Sequence, residues 1–436
     1  MPLTGTRTFV GFGFGAIQSG LFLYEAFHSG AFRRLVVVEV VPEVVQAVRQ
    51  EGGSFCVNIA HRDRVESACV GPVEIYDPAV EADRQKILGA IVEAEEIATA
   101  VPSVAFYVSD RSGSIHRLLA EGLYKKVHLN GPRTVIYAAE NHNHATEILE
   151  AAVIGAIPLE QHSPVRARVR FLNTVIGKMS QVVVDREEVK ARSLTPITPG
   201  YPRAFLVEAF NHILVSKVQF PEPFERGISV LVEKDDLLPF EEAKLYGHNA
   251  THAVLGYLGA LLGAQRVADL QEKPGILSFA RAAFINESGA ALIRKHAGLD
   301  PLFTPDGYRE FADDLLKRMT NPFLVDMIER VTRDTERKLG WNDRLIGTMR
   351  VALEQSVTPS RYAMGAAAAL AWLDPATLEG HSPAGSILDK LWREASLGKA
   401  ERDRVVNLIE TALVILRTWR ADDFPDLEIF YQGSHA

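Results

Sequence analysis

Residues 8–20 read Thr-Phe-Val-Gly-Phe-Gly-Phe-Gly-Ala-Ile-Gln-Ser-Gly, a short β-type run followed by closely spaced glycines. Residues 21–27 then have a helical pattern, and residues 35–39 form a second apolar run that ends in Glu39. A strand, a glycine-rich turn, a helix, a second strand and an acid in this order are typical of a dinucleotide-binding βαβ unit. The stretch therefore predicts a parallel sheet with a nucleotide site at the start of the chain.

The glycines indicate where a nucleotide would lie. Glycine lets a pyrophosphate approach the backbone, and the N-terminus of the following helix offers amide donors. A glycine-rich tight turn that binds nothing is the alternative interpretation. Two registers of the motif are possible: Gly11, Gly13 and Ala16, or Gly13, Gly15 and Gly20.

The acid after the second strand indicates which dinucleotide would bind. A carboxylate in this position accepts hydrogen bonds from the ribose hydroxyls. Residues 40–42 are Val-Val-Pro, so neither arginine nor lysine follows Glu39 to accommodate a 2′-phosphate. Since the carboxylate would repel that phosphate, the predicted cofactor is NAD rather than NADP.

Length and composition exclude several classes of function. The chain has 436 residues, of which 47% are hydrophobic and 23% charged, as in a soluble globular protein of two or three domains. A net charge of −8 with scattered lysines and arginines argues against a nucleic-acid surface. No apolar run reaches the ~18 residues that a membrane span needs, and the first residues lack a signal-peptide core. We therefore expect a cytoplasmic enzyme in which Cys56 and Cys69 are reduced.

Two later segments predict the rest of the cofactor edge. Residues 96–101 end in small side chains, and residues 133–141 end in Glu140 and Asn141. The carboxyl ends of parallel strands meet at one edge of a sheet, so both segments should reach the cofactor there. His142 and His144 could ligate a metal, but no third ligand is in view. We interpret them as surface or capping residues and predict no metal.

The remaining pattern divides the chain in two. Residues 166–172, 204–218 and 227–232 are β-type and are assigned to an extension of the first sheet, antiparallel at its edge. Helical periodicity dominates from about residue 235. The predicted helices span residues 239–263, 275–297, 305–319, 322–337, 343–356, 360–373 and 400–419. The predicted fold is an α/β N-terminal Rossmann-type domain with an extended mixed sheet, residues 1–234, followed by an all-α C-terminal domain, residues 235–436.

The first of these helices carries an unusual set of polar side chains in the stretch Lys244-Leu-Tyr-Gly-His-Asn-Ala-Thr-His252. At roughly 100° per residue, Lys244, His248, His252 and Asn249 lie at about 0°, 40°, 80° and 140° around the helix. The following turns are apolar. Because an ammonium and an amide in an apolar helix are costly unless paired, we expect a polar pocket on this face.

Three interpretations of this helix compete. His248 and His252 could be half of a zinc site, although the stretch lacks the glutamate of the usual motif and a lysine would repel the metal. The polar residues could simply face solvent. Lys244 could instead be a general base with a burial-lowered pKa, Asn249 a donor to a developing alkoxide, and His252 an orienting group. The upstream nucleotide domain favours this third interpretation, because hydride transfer from an alcohol needs a base.

Together these residues resemble the polyol-specific long-chain dehydrogenases, the mannitol dehydrogenase family. Its catalytic helix carries Lys-x-x-x-x-Asn-x-x-His, as in residues 244–252, and the glycine loop of its phosphate-specific branch is similar to residues 13–20. The resemblance selects the second glycine register. Further similar stretches are residues 98–101, 139–141, 171–174, the branch-specific run 286–298, and the pair in 329–339.

The resemblance implies a metal-independent alcohol dehydrogenase whose site lies in the cleft between two domains, in a monomer or homodimer. It implies Lys244 as the base, Asn173 with Asn249 as the oxyanion hole, and His252 as a substrate-positioning residue. Arg330 and Lys338 would bind the distal hydroxyl or phosphate end. The implied cofactor-binding residues are Gly13, Gly15, Ala16, Ile17, Gly20, Glu39, Thr99, Ala100, Val101, Glu140 and Asn141.

The chain departs from the family pattern in residues 176–179 after the oxyanion-hole asparagine, at Gln18 in the glycine loop, and at His212. The expected activity is NAD-dependent oxidation of a sugar alcohol or its phosphate to the ketose. The alternatives are a tagaturonate or fructuronate reductase and a free-polyol dehydrogenase. An alternative of another class is a non-catalytic NAD-binding regulatory protein, against which the retained Lys244, Asn249 and His252 argue.

Overall fold

The computed structural model describes residues 3–395 and 398–434. The backbone divides into two units, Met1–Leu238 and Pro239–Ala436. The first is an α/β unit with a mixed sheet and the second is helical, so the predicted fold class is confirmed.

The strands of the first unit, within the described residues, are β1 (Arg7–Phe12), β2 (Phe32–Val38), β3 (Phe55–Ala60), β4 (Val65–Val70), β5 (Glu74–Tyr76), β6 (Glu96–Thr99), β7 (Thr134–Ala138), β8 (Val169–Val175), β9 (Ser180–Val183), β10 (Ala204–Glu208), β11 (Ile213–Ser216) and β12 (Leu231–Lys234). Its helices are α1 (Tyr24–Ser29), α2 (Pro42–Gln50), α3 (Glu81–Glu93), α4 (Ile115–His128), α5 (Ala145–Gly155), α6 (His162–Arg168) and α7 (Arg186–Ala191).

The main sheet has the strand order β12-β11-β8-β7-β6-β1-β2-β5. The six strands from β8 to β5 run parallel, β11 is antiparallel to β8, and β12 is parallel to β11. The central strands are apolar because both faces are covered. Val10, Val36 and Val38 face the core under α3 to α6, whereas Leu35 and Val37 face the core on the opposite side.

A second, four-stranded sheet with the order β4-β3-β10-β9 was not predicted. The β-type run 204–218 divides between the two sheets, because β10 pairs with β3 and β9 while β11 pairs with β8. The predicted strand at 166–172 begins too early, since Arg166–Arg168 close α6. Alternating apolar residues predict a strand but not its partner, which is why the assignment to a single sheet is wrong.

The prediction of reduced cysteines is also wrong. Cys56 and Cys69 form a disulfide. They lie directly opposite each other on the antiparallel strands β3 and β4, with Cα atoms 4.0 Å apart. The pairing depends on the register of this hairpin, which the spacing of two cysteines does not reveal.

The helices of the second unit, within the described residues, are α8 (Leu238–Glu242), α9 (Ala250–Leu261), α10 (Ile276–Ala283), α11 (Ala290–Lys295), α12 (Pro305–Met319), α13 (Ile328–Val331), α14 (Thr335–Lys338), α15 (Arg344–Glu354), α16 (Ser360–Leu373), α17 (Pro375–Glu379), α18 (Ala384–Leu391), α19 (Lys399–Ala421) and α20 (Leu427–Gly433). The predicted helix 322–337 is wrong: only α13 and α14 form there, because Val325 and Asp334 adopt left-handed backbone conformations that interrupt a helix. Helices α17, α18 and α20 were not predicted.

The second unit also contains one stretch, Ile276–Lys295, that is long and apolar enough to cross a membrane by length and composition alone. In the structure 56% of its most apolar window is buried. Buried core helices of soluble proteins have the same composition, so this stretch is weak evidence for a membrane span.

Two helices of this unit contain π-helical turns. Ala243–Asn249 joins α8 to α9, and Phe284–Gly289 joins α10 to α11. Each turn has a glycine against the buried Tyr308 of α12. A Cβ atom on Gly247 would lie 2.6 Å from the Tyr308 hydroxyl oxygen, and one on Gly289 would lie 2.7 Å from Tyr308 Cδ1. The Tyr308 ring therefore fills the space that both glycines leave.

We expect Gly247→Ala to destabilise the protein. The new methyl group would overlap Tyr308 and also Phe284, whose Cε2 would be 2.7 Å away. Overpacking of this kind costs about 1–3 kcal/mol, which exceeds the gain in helix propensity of about 1 kcal/mol. The measurement is the free energy of unfolding in urea. The control is Gly89→Ala in α3, where a Cβ atom meets nothing within 4 Å and a small gain is expected. Equal stability of Gly247→Ala and the native protein would contradict this packing.

Candidate active site

The glycine turn after β1 has the geometry that a dinucleotide requires. Gly13 has φ +86°, its N–H donates to Val38 O at 2.8 Å, and a Cβ atom there would lie 2.8 Å from Ala100 O. A Cβ atom on Gly15 would meet nothing within 4 Å, so this position leaves open space beside the backbone. A Cβ atom on Gly20 would lie 2.5 Å from Val207 Cγ1, which shows close helix packing. In the dinucleotide fingerprint one glycine forms the tight turn, one lets the pyrophosphate approach the backbone, and one allows close helix packing. Gly13, Gly15 and Gly20 have these three roles in turn, which fits the second register.

The rest of the turn holds its residues close to the sheet. Ala16 is buried, and Ile17 immediately precedes the π-helical turn Gln18–Leu23. The Gln18 amide packs against Gly11, where a Cβ atom would be 2.0 Å from Nε2. Gln18 is fully buried, and neither amide atom has a hydrogen-bond partner within the described residues. The departure from the family pattern at this position therefore fills the interior of the turn.

Glu39 lies at the carboxyl end of β2, as the motif predicts. Its Oε1 accepts from Val40 N at 2.7 Å and from Val41 N at 2.9 Å. Burial raises the pKa of Glu39, although the backbone donors oppose this shift. The hydrogen bonds from these two backbone amides hold the carboxylate where it could accept from a ribose hydroxyl. The glycine turn and Glu39 together therefore fit a dinucleotide.

Glu140 has an internal role that its sequence position did not predict. Its carboxylate is buried and accepts from Thr99 Oγ1 and Val101 N, both at 2.9 Å, and from the Tyr107 hydroxyl. Burial raises the pKa of Glu140, and these donors oppose that shift. The acid thus ties the connection after β6, which includes Ala100, to the end of β7. It positions the cofactor edge from within.

The other predicted residues of this edge differ in their surroundings. Asn141 is exposed. Asn173, on β8, is half-buried; its Oδ1 accepts from Thr146 N at 3.1 Å, and its Nδ2 donates to the Glu147 carboxylate at 3.2 and 3.3 Å. The Asn173 carboxamide is therefore held by the first turn of α5. One of the two Nδ2 hydrogens suffices for the Glu147 contact, which leaves the other for a ligand.

The His142–His144 pair lies on the surface. The two rings are 6.1 Å apart, and His144 N donates to His142 Nδ1 at 3.0 Å, which is a turn contact. No group of three metal-ligating side chains occurs in residues 3–395 and 398–434.

In the second unit, the π-helical turn rearranges the polar residues of the central helix. In a π-helix residue i hydrogen-bonds to i+5, so Lys244 and Asn249 lie one turn apart on the same face. The regular spacing used for the prediction had separated them by about 140°. His248 is instead buried, with 7% of its surface exposed, and its pKa is far below the ordinary value because of burial and the nearby Arg318. His248 is a neutral core residue.

Lys244 has the electrostatic surroundings of a general base. The residue is half-buried, and burial lowers the pKa of its ammonium to about 8. The carboxylate of Glu241 opposes this shift, and the guanidinium of Arg344 adds to it. A lysine with a pKa near neutrality exchanges protons far more readily than an ordinary one.

His252 contacts an acid that the sequence interpretation missed. Its Nε2 lies 2.7 Å from Oδ2 of Asp326, of which only 4% is exposed. Burial alone would raise the pKa of Asp326, but His252 and Arg330 outweigh it and lower the pKa to about 2. Arg330 Nε and Nη2 both donate to Asp326 Oδ1, at 3.0 and 2.6 Å. The only hint in the sequence was the i, i+4 spacing of Asp326 and Arg330. Val325 has a left-handed backbone conformation, so these residues do not belong to the continuous helix that was predicted there.

The second predicted cation of this unit, Lys338, ends α14 and is almost fully buried. The second unit thus contains a base of lowered pKa, an amide on the same helix face, and a histidine fixed by a carboxylate. This set can accept a proton from a hydroxyl group and stabilise the resulting oxygen anion. The turn of the first unit can hold a dinucleotide.

Known proteins share this architecture. Residues 236–415 match the family model of the mannitol dehydrogenase C-terminal domain. A D-sorbitol dehydrogenase in substrate-free form is similar with a TM-score of 0.74 and 16% identity, over 97% of this chain and 94% of that one. The Pseudomonas fluorescens mannitol 2-dehydrogenase in ternary complex with NAD and D-mannitol has a TM-score of 0.71 and 16% identity, over 96% and 93%. These likenesses show the fold. The family model thus covers the helical part of the chain, residues 236–415, which is similar to a mannitol dehydrogenase C-terminal domain.

Proposed function

We propose that the chain is an NAD-dependent dehydrogenase that reversibly oxidises a secondary alcohol of a sugar alcohol or sugar-alcohol phosphate to the ketose. The observation that carries the proposal is the Lys244 ammonium, whose pKa is about 8, one π turn from the Asn249 carboxamide. The pair supplies a proton acceptor and a hydrogen-bond donor for one alcohol oxygen. NAD, when bound, supplies the hydride acceptor.

Lys244 acts as the base in the direction of oxidation. Its neutral amine takes the hydroxyl proton as the substrate carbon loses hydride. Asn249 Nδ2 donates to the oxygen while negative charge develops on it. Asn173 is the second proposed donor, through the Nδ2 hydrogen that Glu147 does not need. In the reverse direction, the Lys244 ammonium returns the proton to the oxygen of the ketose.

His252 positions the substrate. Its Nε2 lies 2.7 Å from the ionised Asp326, and this contact holds the imidazole in place. The other ring nitrogen, Nδ1, is the atom proposed to contact a substrate hydroxyl group next to the reacting carbon. Asp326 is itself held by Arg330, so the orientation of the imidazole depends on two fixed charges.

NAD is preferred to NADP because of Glu39. The amides of Val40 and Val41 hold the carboxylate in place, so it cannot swing away from a 2′-phosphate without losing both bonds. The described neighbours on this connection include no cation that could bind that phosphate. The cytoplasmic location and the monomeric or dimeric state stay predictions.

Mannitol 1-phosphate, oxidised to fructose 6-phosphate, is the substrate we propose first. The tagaturonate or fructuronate reductases and the free-polyol dehydrogenases are the alternatives among enzymes. A non-catalytic NAD-binding protein, which the altered stretch 176–179 suggests, is disfavoured by the retained Lys244, Asn249 and His252. Lys178 in this stretch is buried and donates to Glu208 O at 2.6 Å, Phe210 O at 2.8 Å and Asn211 Oδ1 at 2.6 Å. These bonds join the altered stretch to the end of β10 and the β10–β11 connection.

We expect Lys244→Met to lower kcat by about 100- to 10,000-fold, because the variant has no side chain that can exchange the alcohol proton. NAD affinity should stay within about twofold, since the cofactor turn is unaffected. The measurements are NADH oxidation with fructose 6-phosphate, fructose, tagaturonate and fructuronate, and NAD binding by calorimetry. The control is Lys317→Met, which removes an exposed lysine of α12. Full activity of Lys244→Met would remove this residue from the mechanism, and no activity of the native protein with any ketose would refute the function.

We expect the two directions of the reaction to have opposite pH dependences. Oxidation requires the neutral amine, so kcat/KM should rise tenfold per pH unit below about 8 and level off above it. Reduction requires the ammonium, so its rate should be constant below about 8 and fall above it. The measurement is the initial rate of each direction from pH 6 to 10 at constant ionic strength. A profile without a limb near 8 in either direction would contradict the assignment of Lys244.

A further inference from the structure

Three cationic side chains of the second unit have little access to solvent. Lys338 is 5% exposed, the Arg344 side chain is 14% exposed, and Lys244 is half-buried. Lys338 is the last residue of α14, Arg344 is the first residue of α15, and Lys244 lies in the π-helical turn Ala243–Asn249.

Hydrogen bonds join α15 to the π-helical turn, and α14 to α9, the helix that continues this turn. The Thr348 hydroxyl lies within hydrogen-bonding distance of Tyr246 O, at 3.1 Å, and of Arg344 O. The backbone of Arg344 therefore lies beside the π-helical turn, close to Lys244. The Tyr257 hydroxyl donates to Thr335 Oγ1 at 2.9 Å, which joins α9 to the start of α14. Lys338 ends this short helix.

Acids also lie around these cations: the Glu241 carboxylate interacts with Lys244, and three other acids already have partners. Asp343 accepts from Arg344 Nε at 3.0 Å and from its N–H at 2.7 Å. Asp334 lies 3.7 Å from Arg337, and Asp326 is bound by Arg330 and His252. Within the described residues, no hydrogen bond or ion pair involves the Lys338 ammonium.

The charges therefore repel one another. Burial, together with Arg344 and Arg337, lowers the pKa of Lys338 to about 8 against the opposing Asp334 and Asp343. Buried cations of like sign are costly unless an anion compensates them. A ligand with a negative group would supply the missing charge, whereas a neutral hydroxyl group would not.

We propose that Lys338 and Arg344 form an anion subsite for a terminal phosphate or carboxylate of the substrate, an inference that rests on the proposed function. Sequence resemblance had implied Arg330 as the partner of Lys338. Arg330 donates to Asp326 through both Nε and Nη2, and thereby holds the acid behind His252. Within the part of the chain that the structure describes, the Arg344 guanidinium bonds Asp343 through Nε, and its Nη groups can bind an anion with two parallel bonds.

The test of the subsite compares anionic and neutral substrates in the Arg344→Gln variant, which removes the charge and keeps hydrogen-bond donors. We expect kcat/KM for the preferred anionic ketose to fall by about 100-fold, mainly through KM. The loss for fructose should be at least tenfold smaller. Reduction is measured at pH 6.5, where Lys244 is protonated in both proteins, so the influence of Arg344 on its pKa does not contribute. An equal loss for neutral and anionic ketoses would overturn the proposal.

The substrate panel also identifies the source of the negative charge. Fructose 6-phosphate represents the phosphate, and tagaturonate and fructuronate represent the carboxylate. The compound whose reduction loses most in Arg344→Gln is the one that the subsite binds. The matched control is Arg337→Gln, on the exposed side of α14, for which the ratio of anionic to neutral kcat/KM should stay unchanged.

A binding measurement separates the subsite from the proposed function. Inorganic phosphate at 100 mM, against sodium chloride of equal ionic strength, should raise Tm of the native protein and not of Arg344→Gln or Lys338→Met. If the native protein reduces no ketose but phosphate still raises Tm through these residues, the function fails and the subsite stands. If phosphate has no effect on the native protein, the subsite fails whatever the enzyme activity.

Discussion

The π-helical turn at Ala243–Asn249 is the constraint on which the rest of the candidate site depends. A regular α-helix would place Lys244 and Asn249 on different faces, and His248 would join the lysine. The extra residue in the turn stacks Lys244 above Asn249 and moves His248 into the core, where burial keeps its imidazole neutral. A π turn costs stability because its hydrogen bonds are poor, so it needs support from its surroundings. Tyr308, packed against Gly247 and Gly289, gives that support.

Buried acids organise both units through hydrogen bonds and ion pairs within the protein. Glu140 fixes the connection after β6 from within the first unit, and Asp326 fixes His252 and Arg330 in the second. In each case burial opposes ionisation, and the pKa follows from how strongly the partners compensate. Uncharged donors leave the pKa of Glu140 raised, whereas an arginine and a histidine lower that of Asp326 to about 2. Asp326 therefore remains ionised throughout the pH range in which the enzyme is expected to work.

The sequence predicted those features whose cause is local. Apolar runs such as residues 35–38 identify strands. The glycines at 13, 15 and 20 are each required by a different local steric condition, so the nucleotide turn could be recognised from the sequence. The second sheet, the disulfide and the partner of His252 depend on contacts between residues far apart in the chain. The π turn could not be predicted because periodicity analysis assumes one fixed rotation per residue. The family resemblance pointed to Lys244, Asn249 and His252 without explaining why they face one way. Its substrate-binding role for Arg330 stays a prediction, and the hydrogen bonds of Arg330 to Asp326 were not foreseen.

The most direct test of this account is the titration of the Lys244 amine itself. Lysines can be labelled with ¹³C-methyl groups and followed by NMR from pH 6 to 11, with the Lys244 signal assigned by its absence in Lys244→Arg. The account predicts a transition near pH 8 for this signal, because burial and Arg344 lower the pKa from its ordinary value of 10.5. A transition near 10.5 would show that the turn leaves Lys244 hydrated, and this would contradict its assignment as the base.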